Sequence, residues 1–146
     1  MSTIADEIRR ITAGAENRLN PEIDPAATRS IADEIAVAVR GLDLGIDAVA
    51  SWAGPGNAMI AFAVAEALGV PAVQLAEDEG LLYFSWAMPA SRVVLVAAAA
   101  ETSRQIDVAA QALTGAGHTH LAVAQLVSAD GDRDGSLTVR ATDAAQ

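Results

Sequence analysis

The chain has no cysteine and no lysine. The first absence removes disulfides, thiolate nucleophiles and cysteine-based zinc sites. The second removes Schiff-base chemistry on lysine and leaves nine arginines as the basic side chains, against nineteen acids and a net charge of −10. A surface of that sign repels phosphate backbones, so nucleic acid is not an expected partner, and the acidity reads as solubility. Aromatics make up 3% of the residues, which makes Trp52, Trp86, Tyr83 and Phe84 conspicuous. Long apolar runs are missing too. A membrane-spanning helix needs about 20 such residues, and the stretch 87–100 is broken by Pro89, Ser91 and Arg92. The N-terminus, MSTIADEIRR, is polar and amphipathic rather than an apolar leader, so a cytoplasmic location and no membrane partner are expected.

What is present is enough for one real core. A length of 146 residues with 52% hydrophobic composition predicts a single folded domain over 1–146, with residues 1–20 forming an amphipathic helix and a linker. Much of the apolar content is alanine, which packs closely but buries little area per residue.

Periodicity orders the rest. Ile4, Ile8 and Ile11 share one face of a helix over 3–13. Asp24 and Pro25 are a helix cap and first turn, and the helix they open runs to about Arg40 with Ile31, Ile35 and Val39 inward. A buried strand is expected at 46–51, a Gly-Pro-Gly loop at 52–57, and a helix over 58–68 stopped by Gly69. A third strand begins at 73–75, and Glu77, Asp78, Glu79 and Gly80 form an acidic turn into an antiparallel arm at 81–86. Residues 93–96 are the central strand, 102–113 a helix ended by Gly115 and Gly117, 120–126 a strand, 129–135 a turn and 136–140 a last short strand. Strands alternating with helices of this length predict an α/β fold: a twisted, mostly parallel sheet with helices on both faces.

The most informative stretch is VVLVAAAAETSRQ, residues 93–105. A buried strand runs into a short loop and then a helix, which places the junction at a strand's carboxyl end, where such sheets bind ligands. A helix opening with Thr102 and Ser103 offers backbone N–H groups without intrahelical partners and the positive end of a dipole, a seat for phosphate. The residues after the strand are all alanine where a metal- or ribose-binding loop would carry acids.

This stretch resembles the phosphoribosyl-diphosphate motif of the type I phosphoribosyltransferases: an apolar strand, two acids, two small residues and a phosphate loop. Ala97 and Ala98 stand where that family has the two acids that hold the ribose hydroxyls. Glu101 stands at the variable head of the loop, Thr102 matches its threonine, Ser103 replaces its glycine, Arg104 falls at a variable position and Gln105 replaces its last threonine. The likeness extends over residues 26–139. DAVASWAGPG, residues 47–56, resembles the family's second strand and pyrophosphate-contacting loop, which implies Gly54, Gly56 and Asn57 as pyrophosphate contacts. NAMIAFAVAEALGVP, residues 57–71, resembles the helix that follows, and Gln125, Leu126 and Val127 the strand after the motif helix. The resemblance implies a phosphoribosyltransferase-like core with a reduced hood. It implies Thr102, Ser103, Arg104 and Gln105 on a 5′-phosphate and Glu101 near the ribose as the catalytic candidate, with Mg²⁺ entering only alongside phosphoribosyl diphosphate. Oligomers are usual in the family, which implies a homodimer with the N-terminal helix and residues 86–88 as its interface.

Two function classes follow. One is a degenerate, non-catalytic relative that binds a nucleotide, a phosphoribosyl ligand or a partner protein as a regulator or subunit. The other is an active enzyme transferring 5-phosphoribosyl from phosphoribosyl diphosphate to a base or related acceptor. The alanine pair and the lack of lysine, which orotate-type enzymes carry on a mobile loop, favour the first.

Other patterns compete for a role. Trp52, at a strand end, either stacks on a ligand or fills core. His118 and His120 alternate at strand spacing, the start of a metal site with no third ligand in sequence. Asp130, Asp132 and Asp134 with Gly135 reproduce the opening of a calcium loop, but position twelve is Ala141 rather than a glutamate, and a polar hairpin turn is the simpler account. Glu77, Asp78 and Glu79 read as a solvated turn.

Overall fold

The computed structural model describes residues 3–14, 18–98 and 103–145. Helix α1 (Ile4–Ile11) starts at a reciprocal cap in which Thr3 and Asp6 exchange backbone-to-side-chain hydrogen bonds at 3.1 Å, satisfying amides that have no helical partner. It ends two residues earlier than its pattern suggests. Strand β1 (Thr12–Ala13) pairs instead with β2 (Arg18–Leu19) in a small antiparallel ladder that no pattern in the sequence announces. A short 3₁₀ turn (Pro21–Ile23) leads into α2 (Pro25–Gly41). Asp24 caps this helix by accepting from the Ala27 amide at 3.0 Å, and Ile31, Ile35 and Val39 are buried on its inner face as expected.

The main sheet takes β3 (Ala48–Trp52), β4 (Ala72–Asp78), β5 (Leu81–Phe84), β6 (Arg92–Ala97), β7 (Thr119–Val127) and β8 (Ser136–Ala141) in the order β5-β4-β3-β6-β7-β8. The inner pairs β4–β3, β3–β6 and β6–β7 are parallel, and β5 and β8 are antiparallel edges. Helix α3 (Pro55–Leu68) links β3 to β4, and α4 (Ser103–Gly115) links β6 to β7. The fold is therefore α/β with a mostly parallel sheet, as its alternating pattern predicts.

Helix α3 begins three residues before the expected Ala58, because Pro55 needs no amide partner at a first helical position and Gly54 ahead of it takes φ 146°. The expected acidic turn is also shorter. Glu77 and Asp78 belong to β4, facing Leu82 and Leu81, and only Glu79 and Gly80 turn the chain, both at positive φ, as a two-residue hairpin requires.

Two apolar layers sandwich the sheet. Helices α1, α2 and α3 cover one face over Val49, Val94, Val96, Ala122, Ala124 and Leu126. Ile106, Ala109 and Leu113 of α4 cover the other over Ala48, Ala50, Val93, Leu95 and Val123. Ile8 and Ile11 are fully buried in the first layer, so the N-terminal isoleucines that the sequence offers as an interface are consumed by the chain's own core. Gly135 permits that docking: a Cβ there would lie 2.3 Å from Ile8 Cγ2 and 2.8 Å from the Val127 carbonyl oxygen. No helix among the described residues is long and apolar enough to cross a membrane.

Candidate functional site

Chain order reverses between β3 and β6. From β3 the chain crosses through α3 to β4 on one side, and from β6 it crosses through α4 to β7 on the other. The two helices consequently lie on opposite faces of the sheet, and both begin at its carboxyl edge. That reversal opens the crevice in which parallel α/β sheets bind ligands.

The β3 side of the crevice is the loop from Trp52 to Asn57. The Ala53 amide donates to the Leu75 carbonyl at 2.6 Å, prolonging the β3–β4 ladder, and Pro55 has no amide. The amides of Gly54 and Gly56 flank it, ahead of the first intrahelical bond of α3. Gly54 closes the first helical turn by accepting from Ala58 at 2.8 Å. Gly56 is required by close approach, since a Cβ would lie 2.9 Å from the Leu19 carbonyl oxygen. The last residue of β2 and Pro21 beyond it therefore pack against the start of α3. Asn57 is buried at the same helix start.

The β6 side carries the alanines. Ala97 ends β6 on the α4 face, in the cluster of Leu95, Ile106 and Ala109, and Ala98 lies against the opposite core. Their exposures are 0% and 1%, so both methyl groups are core packing. The β3–β6 ladder ends at the pair Ala50–Leu95, and Trp52 lies two residues beyond it. The indole packs in the same apolar cluster, and its Nε1 donates to the Gln105 carbonyl at 3.2 Å. An aromatic ring thus packs against the cluster that contains Ala97, where the resembled motif has an acid. Its hydrogen bond ties the end of β3 to the first turn of α4. The sequence offered Trp52 as stacking group or core filler, and the tether itself had no sequence signal.

Ser103, Arg104 and Gln105 form the exposed first turn of α4. Glu101 and Thr102, expected near the ribose and on the phosphate, lie outside the described residues. Phosphate at this turn would meet backbone amides, the Ser103 hydroxyl and the Arg104 guanidinium. Magnesium has less to hold it. No group of three His, Asp or Glu side chains among the described residues is arranged to bind a metal, and methyl groups at 97 and 98 offer no oxygen.

The remaining candidates have structural partners. The Asp130–Arg133 segment is a tight turn with reciprocal backbone bonds of 2.9 and 2.8 Å. Arg9 reaches across to it, donating to the carbonyls of Gly131 and Arg133 and to Asp134 Oδ1 at 3.2 to 3.4 Å. The guanidinium thus holds Asp134, the fifth position of the calcium-loop pattern, in an ion pair. His118 accepts from the Ser91 amide through Nδ1 at 3.1 Å and meets the Phe84 ring edge-on at 6.1 Å. His120 lies in β7 with a separate environment.

No family model matches the sequence, and neither does any curated protein. Solved structures do match in three dimensions. Adenine phosphoribosyltransferase from Trypanosoma brucei, in complex with AMP, pyrophosphate and ribose-5-phosphate, superposes with a TM-score of 0.62 at 16% identity, over 88% of this chain and 68% of that one. The fold is that of the type I phosphoribosyltransferases. Orotate phosphoribosyltransferase from Mycobacterium tuberculosis, bound to 5-phospho-α-D-ribosyl 1-diphosphate, matches at a TM-score of 0.55 and 21% identity, over 86% of this chain and 74% of that one. A Neisseria gonorrhoeae protein with bound ppGpp matches at 0.53 and 18%, over 73% of this chain and 69% of that one. Each of these three carries a phosphorylated ligand on the fold that this chain shares.

Proposed function

We propose that the protein is a degenerate phosphoribosyltransferase-like binder: it holds a nucleoside monophosphate or a phosphoribosyl ligand at the crevice between β3 and β6 and does not transfer the phosphoribosyl group. The observation that carries this reading is the buried alanine pair at the end of β6, with the Trp52 ring packed against the cluster that holds Ala97. Transfer passes through a sugar centre of cationic character, and no carboxylate stands at those two positions to orient the ribose hydroxyls or offset that charge.

What remains suits binding. The exposed first turn of α4 directs amides and a helix dipole at an anion. The Gly54 and Gly56 amides face the same edge from β3. In this reading Thr102, Ser103, Arg104 and Gln105 hold the 5′-phosphate, Gly54, Gly56 and Asn57 contact a diphosphate if one is present, and Glu101 lies near the ribose. Any Mg²⁺ would arrive with the ligand's own phosphate oxygens. The protein acts in the cytoplasm as a regulator or as a subunit of another enzyme.

The same reading includes a homodimer through the β5 edge. Leu81, Tyr83 and Trp86 are 61%, 49% and 43% exposed. Residues 80–91 carry no charge in a chain of net charge −10, so two copies can meet there without repulsion. An unblunted apolar edge strand is a ready pairing surface.

The test is a paired assay on the purified protein: calorimetric titration with AMP, and pyrophosphate release from phosphoribosyl diphosphate with a panel of bases and Mg²⁺. Binding without release supports the reading. Release above the protein-free rate with any base would show an active transferase instead.

A further inference from the structure

A second cleft lies away from the crevice, at the end of β7 where that strand begins. It has a volume of about 330 Å³ and runs between α4 and the segment that follows β8. His120 forms its floor and Val123 lies further along, while Ile106 and Asp107 come from α4 and Arg140 and Asp143 from the far wall.

A bulge creates this floor. Val93 pairs with His120 but Val94 pairs with Ala122, so Leu121 is an extra residue in β7. Without it His120 would share the face of Ala122, in the core beneath α2 and α3. The inserted residue turns His120 to the α4 side instead, together with Val123, which is how bulges re-aim side chains. The Thr142 hydroxyl fixes the floor further by donating to the His120 carbonyl at 2.7 Å.

The ring itself is 7% exposed, and its Nε2 is buried with no hydrogen-bond partner. With Nε2 unpartnered, we assign the ring's N–H to Nδ1, on the side of the Ala122 backbone. A neutral ring that donates from Nδ1 leaves a bare acceptor at Nε2. Buried acceptors without partners are rare and costly, and the residue that carries this one lines an open cleft.

We propose that this cleft binds a free α-amino acid with an apolar side chain, its ammonium group donating to His120 Nε2 between Asp107 and Asp143 and its carboxylate paired with Arg140. The charge pattern selects that class. An anion alone would satisfy Arg140 and be repelled by the two acids. An amine alone would leave Arg140 without a role and would meet the same guanidinium. A zwitterion answers both walls, and the methyl groups of Ala110, Ala141 and Ala144, which also line the cleft, supply an apolar contact for its side chain. The site is independent of the crevice reading, since it uses none of the crevice residues.

The test follows the His120 ring nitrogens by NMR during titration of the intact protein. The probes are valine, leucine and phenylalanine, with acetate, methylamine, lactate and lysine as separate arms. The expected result is saturable movement of the Nε2 resonance by at least one apolar amino acid with a Kd of about 1 mM or tighter. Acetate, methylamine and lactate should bind at least about tenfold more weakly. Arg140→Gln, a change at an exposed edge-strand position, should weaken the amino acid by a similar factor, and Ser103→Asp in the crevice should leave it unchanged. Failure of all three amino acids to move the resonance overturns the proposal. So does equal binding of acetate, which would make the cleft a simple anion site, or of lactate, which would remove the ammonium from the argument.

Discussion

The indole Nε1 of Trp52 donates to the backbone carbonyl of Gln105 at 3.2 Å. One bond thereby joins the end of β3 to the helix start that is proposed to hold phosphate. Trp52→Phe keeps most of the packing and removes the bond. It should cost about 1 kcal/mol, read as a shift in urea midpoint, and should weaken AMP binding by loosening the first turn of α4. Trp52→Ala removes the partly buried ring as well and should cost about 3 kcal/mol, the low end for losing a large aromatic.

Ala97→Asp puts a carboxyl where exposure is 0% and the neighbours are Leu95, Ile106 and Ala109. A buried acid without partners destabilises and stays protonated. The expected outcome is a loss of about 2 to 4 kcal/mol in chemical denaturation with no gain in phosphoribosyl transfer. A stable variant with Mg²⁺-dependent binding of phosphoribosyl diphosphate would mean that the pocket remains whole around the lost acid.

Ser103→Asp sets a negative charge on an exposed helix start. It should leave the melting temperature within a degree or two, because acids are tolerated in a first turn. It should also abolish calorimetric heat with AMP, because like charges meet there. Arg104→Gln should weaken AMP less, by the worth of one charged contact, about 1 kcal/mol.

Much of this architecture was legible in the sequence. Ile31, Ile35 and Val39 mark the inner face of α2 by helical spacing, and the strands at Val93 and Leu121 stand out as apolar runs. Their alternation with helices is enough to place the crevice. Other features depend on pairing between distant segments. The extra residue at Leu121 exists only in its register with β6, so His120 could not be assigned a face from spacing alone. Thr12 and Ala13 continue the helical pattern of α1, and only their partners Leu19 and Arg18 pull them into a ladder. The three aspartates of the 130–134 turn look like a cation loop until Arg9, more than 120 residues earlier in the chain, is found on Asp134 and on the carbonyls of Gly131 and Arg133.

Gly135→Ala should be among the most damaging single-methyl changes. The added carbon would meet Ile8 Cγ2 and the fixed Val127 carbonyl within 2.8 Å. Overpacking of that kind costs about 1 to 3 kcal/mol, and the backbone contact puts this case near the top. Melting temperature by circular dichroism checks it.

Burial of His120 is the first cause holding its pKa below the usual histidine value. The nearby positive charge of Arg140 adds to this, and the Ala122 backbone bond partly offsets it. Asp107 on α4 and Asp143 beyond β8 also line the cleft that the ring faces. The unfolded chain therefore takes up a proton that the folded ring resists. Stability from this group is present above about pH 6.5 and is lost as the pH falls below it. His120→Gln should flatten the decline in stability between pH 7.5 and 5.5, measured as the difference in urea midpoint from the unmodified protein.

The most direct test of the central claim is a single-turnover assay with phosphoribosyl diphosphate carrying a labelled β-phosphate, run with Mg²⁺, a base panel and protein in excess of ligand. The account predicts that the label is retained on the protein by filtration and is recovered as intact phosphoribosyl diphosphate with every base. Recovery of labelled pyrophosphate with any base, at a rate above that without protein, would contradict it.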